Sequence, residues 1–169
     1  DAPPILFVPP LFEEMNRTRA LIAATMRALA ARGHGCWLPD LMGTGESEAD
    51  LAAVQWDDWR HDVGAAAEHV ERSAGAPPLV ASVRGGCLID DAAAGIGWWR
   101  LAPVAGASLV RDMVRAGLAG VEWAGYAPSP ELRGRLGDAA AVDQGPLRVT
   151  RLQTDPAAAD ATLPGPALW

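Results

Sequence analysis

The chain contains no lysine: all of its fourteen basic residues are arginine. Twenty-one acidic residues oppose them, for a formal net charge of −7. Nucleic acid is held chiefly through its phosphates, so an acidic chain without a basic stripe is not built to bind it. The missing lysine, beside abundant Ala, Gly and Arg, reads as GC-rich coding and not as a functional device. Long apolar runs are missing too. None approaches the ~20 residues that a membrane-spanning helix needs, and the opening residues do not read as the basic and apolar regions of a signal peptide. Cysteine is scarce. Cys36 and Cys87 have neither metal-ligand spacing nor the density of a disulfide framework, which makes a reducing cytoplasm the simplest compartment.

What is present is an ordinary globular mixture. Half of the 169 residues are apolar and 21% are charged, which predicts a single domain, 1–169, with one core. The chain begins at Asp1 rather than Met and ends at Trp169, each next to what reads as a strand. It is therefore expected to be a trimmed or incomplete gene product. Oligomeric state has no signature here.

Short apolar runs alternate with longer amphipathic ones. Ile5 to Val8 reads as a buried strand stopped by Pro9-Pro10. The segment Leu11 to Asn16 reads as a loop. Leu21, Ile22, Met26, Leu29 and Ala30 recur at helical spacing over Thr18 to Ala31, with Gly33 as the stop signal. Cys36 to Leu38 is a second short strand closed by Pro39-Asp40. A second helix is predicted from Val54 to Arg72, broken by Ala76-Pro-Pro78. Leu79 to Val83 is the third strand, and Gly85-Gly86 opens a third helix carrying Cys87, Leu88 and Ile89. A weaker fourth strand is placed at Leu101 to Val104 and a fourth helix at Leu109 to Leu118. Past Gly120 the signal fades into a possible lid or irregular segment over 120–146, with a loop from Tyr126 to Pro130 and a short helix at Glu131 to Leu136. Leu147 to Leu152 alternates as a strand. Strands alternating with helices imply right-handed crossovers and a parallel sheet with helices on both faces, a three-layer α/β sandwich.

In such a sheet ligands bind beyond the carboxyl ends of the strands. Ser82-Val-Arg84-Gly-Gly86 joins a strand to a helix through a small-x-X-x-small pattern, the signature of a strained turn that lifts its middle residue above the sheet. The middle residue is Arg84. A guanidinium is always protonated and cannot attack a carbonyl, but it can hold a carboxylate or phosphate. Ser82 and Cys87 are the nearest nucleophiles, and both would be displaced from the apex. An ion pair with Glu13 or Glu14 is the structural alternative to anion binding for Arg84.

The loop after the first strand, Pro9 to Arg17, sits where backbone N–H groups bind an oxyanion. It carries Phe12, Glu13, Glu14, Asn16 and Arg17. The two carboxylates either serve a reaction or favour the start of the next helix through its dipole. Asp40 to Ser47 holds two glycines without the lysine or spacing of a P-loop, and the dinucleotide fingerprint is absent, so this stretch reads as a structural turn. His34 lies at the sheet's opposite end, while His61 and His69 stand two helical turns apart; all three read as structural or surface residues. No metal and no cofactor is expected.

These stretches carry a family resemblance. Asp40-Leu-Met-Gly-Thr-Gly-Glu-Ser47 resembles the D-x-x-G-x-G-x-S loop of the α/β-hydrolase superfamily, and Ser82 to Gly86 resembles its nucleophile elbow. Pro9-Pro-Leu-Phe-Glu-Glu-Met-Asn-Arg-Thr-Arg19 is similar to the P-P-F-x-E-E-M-N-x-x-R stretch of the exosortase A system-associated hydrolases, in the branch called hydrolase 2. Ala124-Gly-Tyr126 and Pro128-Ser-Pro-Glu-Leu132 also look like that branch. The resemblance implies an α/β-hydrolase fold and a bacterial protein acting beside the machinery that sorts PEP-CTERM proteins. It also implies hydrolysis of an ester or thioester. The superfamily's acid matches Asp155 in Thr154-Asp155-Pro156, and its His loop matches Gly165 to Trp169 with Leu168 in the His place. Arg84 and Leu168 thus replace nucleophile and base, and the usual acyl-enzyme route lacks both. Three readings follow. The first is an atypical hydrolase of a small or acyl substrate, with Glu13 or Glu14 as base, Asp155 as the retained acid, and Arg84, Asn16, Arg17 and Phe12 around the ligand. The second is a non-catalytic pseudo-hydrolase that binds an anionic ligand or an exosortase-pathway protein. Nucleotide binding is the third, and no glycine-rich loop after the first strand supports it.

Overall fold

The computed structural model describes residues 2–116 and 125–151. Five strands, β1 (Ile5–Val8), β2 (Cys36–Trp37), β3 (Leu79–Val83), β4 (Gly97–Leu101) and β5 (Leu147–Thr150), form one sheet in the order β2-β1-β3-β4-β5. Every neighbouring pair is parallel. The four helices are α1 (Glu13–Ala30), α2 (Trp56–Ala74), α3 (Gly106–Ala116) and α4 (Pro130–Asp138).

Period-2 alternation decides which face each side chain serves. On β1, Leu6 and Val8 join Val80 of β3 and Trp98 of β4 in a core covered by α2, α3 and α4. Ile5 and Phe7 turn the other way and meet Ile22 of α1, with Ala81 of β3 beside them. The result is the expected three-layer α/β sandwich. Trp59, Val63, Ala67 and Val70 recur along one face of α2 and are all buried. Removing each of the larger ones from water stabilises the fold by ~1.5–3 kcal/mol. The α2 entrance is fixed by Asp58, whose carboxylate accepts from the Gln55 backbone N–H at 2.8 Å, and by Glu131 of α4, which accepts from the Trp56 N–H at 2.9 Å.

Three expectations need correction. The segment after β1 is not a loop to Asn16: α1 begins at Glu13, so Glu13, Glu14, Asn16 and Arg17 stand on its first two turns. No α-helix opens at Gly85-Gly86; two 3-10 turns, Arg84–Leu88 and Asp90–Ala92, follow β3 instead. The fourth strand lies four residues earlier than predicted, at Gly97–Leu101, because a buried arginine, Arg100, interrupts the apolar run that would have marked it. The short helix expected at Glu131 to Leu136 is present as α4, whose Leu132 and Leu136 are fully buried. Among the described residues no helix is long and apolar enough to cross a membrane.

The strand order also places the site. The chain runs from β1 outward to β2 and then crosses back to β3 on the other side of β1. Segments leaving the carboxyl ends of β1 and β3 therefore diverge, and a crevice opens between them. Phe12 to Arg17 follow β1, and Arg84 follows β3.

Candidate functional site

The turn after β3 has the geometry that its sequence pattern requires. Val83 is extended (φ −125°), Arg84 flips to φ 48°, and the chain then drops into the first 3-10 turn. A left-handed conformation costs an L-residue roughly 1–2 kcal/mol. The small residues beyond the apex are needed for packing. A β-carbon on Gly86 would lie 2.4 Å from the carbonyl oxygen of Pro9 and 2.6 Å from that of Val8, and both are backbone atoms. Residue 86 must be glycine for the elbow to close on β1. Phe12 has the second strained backbone, at φ 57°, directly before α1. Its ring is fully buried, edge-on to Trp59 and Tyr126 with centroids 5.5 Å away in each case.

These two strained turns bring Arg84 to Glu14. The Arg84 Nε donates to Glu14 Oε1 at 2.6 Å, and both side chains are largely enclosed. The pairing foreseen with either carboxylate is made with Glu14. Glu13 is engaged elsewhere, accepting from Arg17 Nε at 3.3 Å and from Asn16 Nδ2 at 3.4 Å. Asn16 also donates to the Tyr126 hydroxyl at 2.8 Å, which ties the start of α1 to the segment ahead of α4. Burial, and after it the charge on Glu13, raises the Tyr126 pKa. Five of the seven residues proposed from sequence (Glu13, Glu14, Asn16, Arg17 and Arg84) thus cluster at the sheet's switch point. Phe12 underpins them from the core rather than facing a ligand, and Asp155 lies outside the described residues, as does Leu168.

Beside the pair a cavity of about 510 Å³ opens between α1 and α3. Glu13, Glu14 and Arg17 line one wall, and Leu109, Asp112, Met113 and Ala116 of α3 line the other. A helix was expected at Leu109 to Leu118, but nothing local marked Asp112 or the apolar strip of α3 as part of a site, because only the tertiary crossing sets α3 against α1. One carboxylate oxygen of Glu14 is unusual. Glu14 Oε2 is buried and has no hydrogen-bond partner, a state that costs roughly 1–3 kcal/mol or more for a charged group.

The alternative nucleophiles are accounted for below the elbow. Ser82 is fully buried, and its hydroxyl donates to Asp90 Oδ2 at 2.5 Å. Arg100 grips the same carboxylate twice, from Nε at 2.8 Å and from Nη2 at 2.7 Å. It then reaches the Val142 carbonyl and Asp143. Burial pushes the Asp90 carboxyl upward, whereas the same bonds push Arg100 upward. The guanidinium decides the matter. It does not give up its proton, and a neutral Asp90 would leave it buried without an anion, so Asp90 is held ionised. Cys87, enclosed beside this network, has its thiol pushed up to about 11 by burial. A thiol is nucleophilic only as thiolate, so Cys87 is inert near neutral pH. The histidines lie away from the cluster: His34 meets the Pro3 carbonyl at 2.9 Å, and His69 meets Ser73 on α2. Asp40 to Ser47 is a structural turn held by Asp40 accepting from the Glu46 N–H and by Ser47 accepting from the Gly43 N–H. Among the described residues no three His, Cys, Asp or Glu side chains gather as a metal site.

No protein-family model matches the chain, and no curated protein matches it either.

Proposed function

We propose that this is an α/β-hydrolase-like protein of the exosortase A system-associated hydrolase 2 kind that binds a small or acyl-bearing ligand without cleaving it, in the bacterial cytoplasm. The observation that carries the reading is the occupant of the elbow apex. The position that would present a nucleophile instead presents Arg84, already paired with Glu14 at 2.6 Å. Ser82 and Cys87 are turned into the core and engaged there. A serine- or cysteine-bound acyl-enzyme thus has no nucleophile at the elbow. The cavity beside the pair is of the size and mixed character of a small-molecule site.

A second reading has one observation in its favour. The unpartnered Glu14 Oε2 could accept a proton from a water, and ester or thioester hydrolysis would then run on a carboxylate base. The two readings part on turnover. Wild type, Arg84→Ala and a Glu13→Gln/Glu14→Gln double variant would be assayed against p-nitrophenyl esters and acyl thioesters. The binding reading expects no rate above buffer in any of the three. Turnover by the wild type that collapses in the double variant would overturn it and make the protein a carboxylate-dependent hydrolase.

A further inference from the structure

We propose that the outer edge of β5 takes up an acidic, extended segment of a partner protein as a sixth strand. This surface shares no residue with the cavity beside Glu14, so it stands independently of the ligand proposed above. β5 closes the strand order β2-β1-β3-β4-β5, and among the described residues no strand lies on its far side. Its other side is taken: the N–H groups of Trp98 and Ala102 donate to the carbonyls of Pro146 and Thr150, at 2.8 and 2.7 Å. Backbone groups alternate sides along a strand. Leu147 and Val149 therefore turn their N–H and C=O groups outward, which is the template on which another strand can pair.

The side chains along this edge select the kind of strand. Arg148 is the register partner of Trp99, and both line an open cavity of about 620 Å³ together with Leu79, Ile96 and Thr150. The cavity leaves this face of the sheet open beside β5, and the Trp99 indole N–H is fixed there by Thr150 Oγ1 at 3.0 Å. Arg148 is the one charged residue in that lining. Neither it nor Arg151, both exposed, has an ion-pair or hydrogen-bond partner among the described residues, although the chain carries 21 acidic residues against 14 basic ones. A carboxylate directly opposite Arg148 on an incoming strand would complete a cross-strand pair. On the other face Val149 is 40% exposed beside the half-buried Leu147, and it offers an apolar neighbour to the same strand. Alternating acidic and apolar residues meet both faces. A second copy of this chain paired along the same edge would instead crowd the arginines of the two copies together, which disfavours it.

Fluorescence anisotropy of labelled peptides against the full chain tests the inference. The probes are an alternating Glu-Val peptide of about seven residues, a length typical of a strand, its Lys-Val counterpart, and the Glu-Val peptide with every amide N-methylated. The Glu-Val peptide should bind with a Kd below about 1 mM, and about tenfold more tightly than Lys-Val. Arg148→Glu, at an exposed position that the fold does not depend on, should reverse that preference. The N-methylated peptide keeps its charges and apolar groups but cannot donate along a strand edge, so it should bind at least about tenfold more weakly. Equal binding of the N-methylated peptide would overturn strand addition. An unchanged preference in Arg148→Glu would overturn the acidic partner. No binding of the Glu-Val peptide at about 1 mM would overturn the inference as a whole. So would a dimer, seen by sedimentation velocity, that the Glu-Val peptide fails to dissociate, since the edge would then belong to a second copy.

Discussion

Arg84 carries two opposing effects on stability, and substitution separates them. Its side chain contributes a partly enclosed ion pair, while its backbone is held at φ 48°. Both Arg84→Ala and Arg84→Gly remove the pair, but only glycine relieves the conformation. Arg84→Gly should therefore be more stable than Arg84→Ala by about 1 kcal/mol, read from the midpoints of urea denaturation at constant slope. The reverse order would mean that the turn is relaxed with a β-carbon present. The Asp90–Arg100 pair gives a sharper contrast. Asp90→Asn leaves a buried guanidinium without its anion and should cost about 3–5 kcal/mol. Asp143→Asn touches the same guanidinium from an exposed position and should change stability by less than about 0.5 kcal/mol. Equal effects would place the charge of Arg100 in solvent. At this scale the sequence was partly informative. The small-x-X-x-small pattern announced a strained apex, and the Glu pair was the foreseen partner of Arg84. The Ser82–Asp90–Arg100 network was invisible, because a serine in a strand and two charges at spacings of eight and ten residues match no local period.

Whole elements were most legible where a periodic apolar pattern met a clear stop signal. β1 ends before Pro9-Pro10 and β3 starts after Pro77-Pro78, and both were placed as the structure has them. α1 was read short at its start, because Glu13, Glu14 and Asn16 look like loop residues; acidic side chains favour a helix's first turn through its dipole. β4 was displaced because Arg100 breaks the run and because Trp98 and Trp99 serve opposite faces. The contact of the elbow with β1 is itself an element-level property and can be tested with two glycines. Gly86→Ala pushes a methyl group into the Val8 and Pro9 carbonyls and should destabilise by about 1–3 kcal/mol or more, since backbone must move. Gly134 in α4 has open space around its would-be β-carbon, so Gly134→Ala should stabilise by about 0.5–1 kcal/mol through helix propensity alone. Thermal unfolding of the two variants should shift in opposite directions; a tolerated Gly86→Ala would mean that the elbow does not close on β1.

For the molecule as a whole, the missing lysine leaves the alkaline range unusually simple. Arginine does not titrate there, so between about pH 9 and 11 the side chains that change charge are two thiols and one tyrosine. In the folded protein all three are shifted in the same direction. Burial raises Cys36 and Cys87, and burial with the charge of Glu13 raises Tyr126. A group whose folded pKa lies above its unfolded value keeps its proton when the unfolded chain has lost it. Its stabilisation is complete below the unfolded pKa and disappears as pH rises through the folded one. For Cys87 that window runs from 9.0 to about 11. The thiol is wholly enclosed, so the associated loss is on the order of 2–3 kcal/mol. Stability measured by urea denaturation at a series of pH values should therefore fall steadily across this window. Cys87→Ala would lower stability at pH 8 by removing a packed side chain, yet should flatten the decline above pH 9. Cys36→Ala, at a less enclosed position, should flatten it less. An equally steep decline without Cys87 would show that the thiolate is accommodated where it forms, against an enclosed Ser82–Asp90–Arg100 network beneath the elbow. A flattened decline would place an enclosed, water-poor network beneath the elbow that carries Arg84.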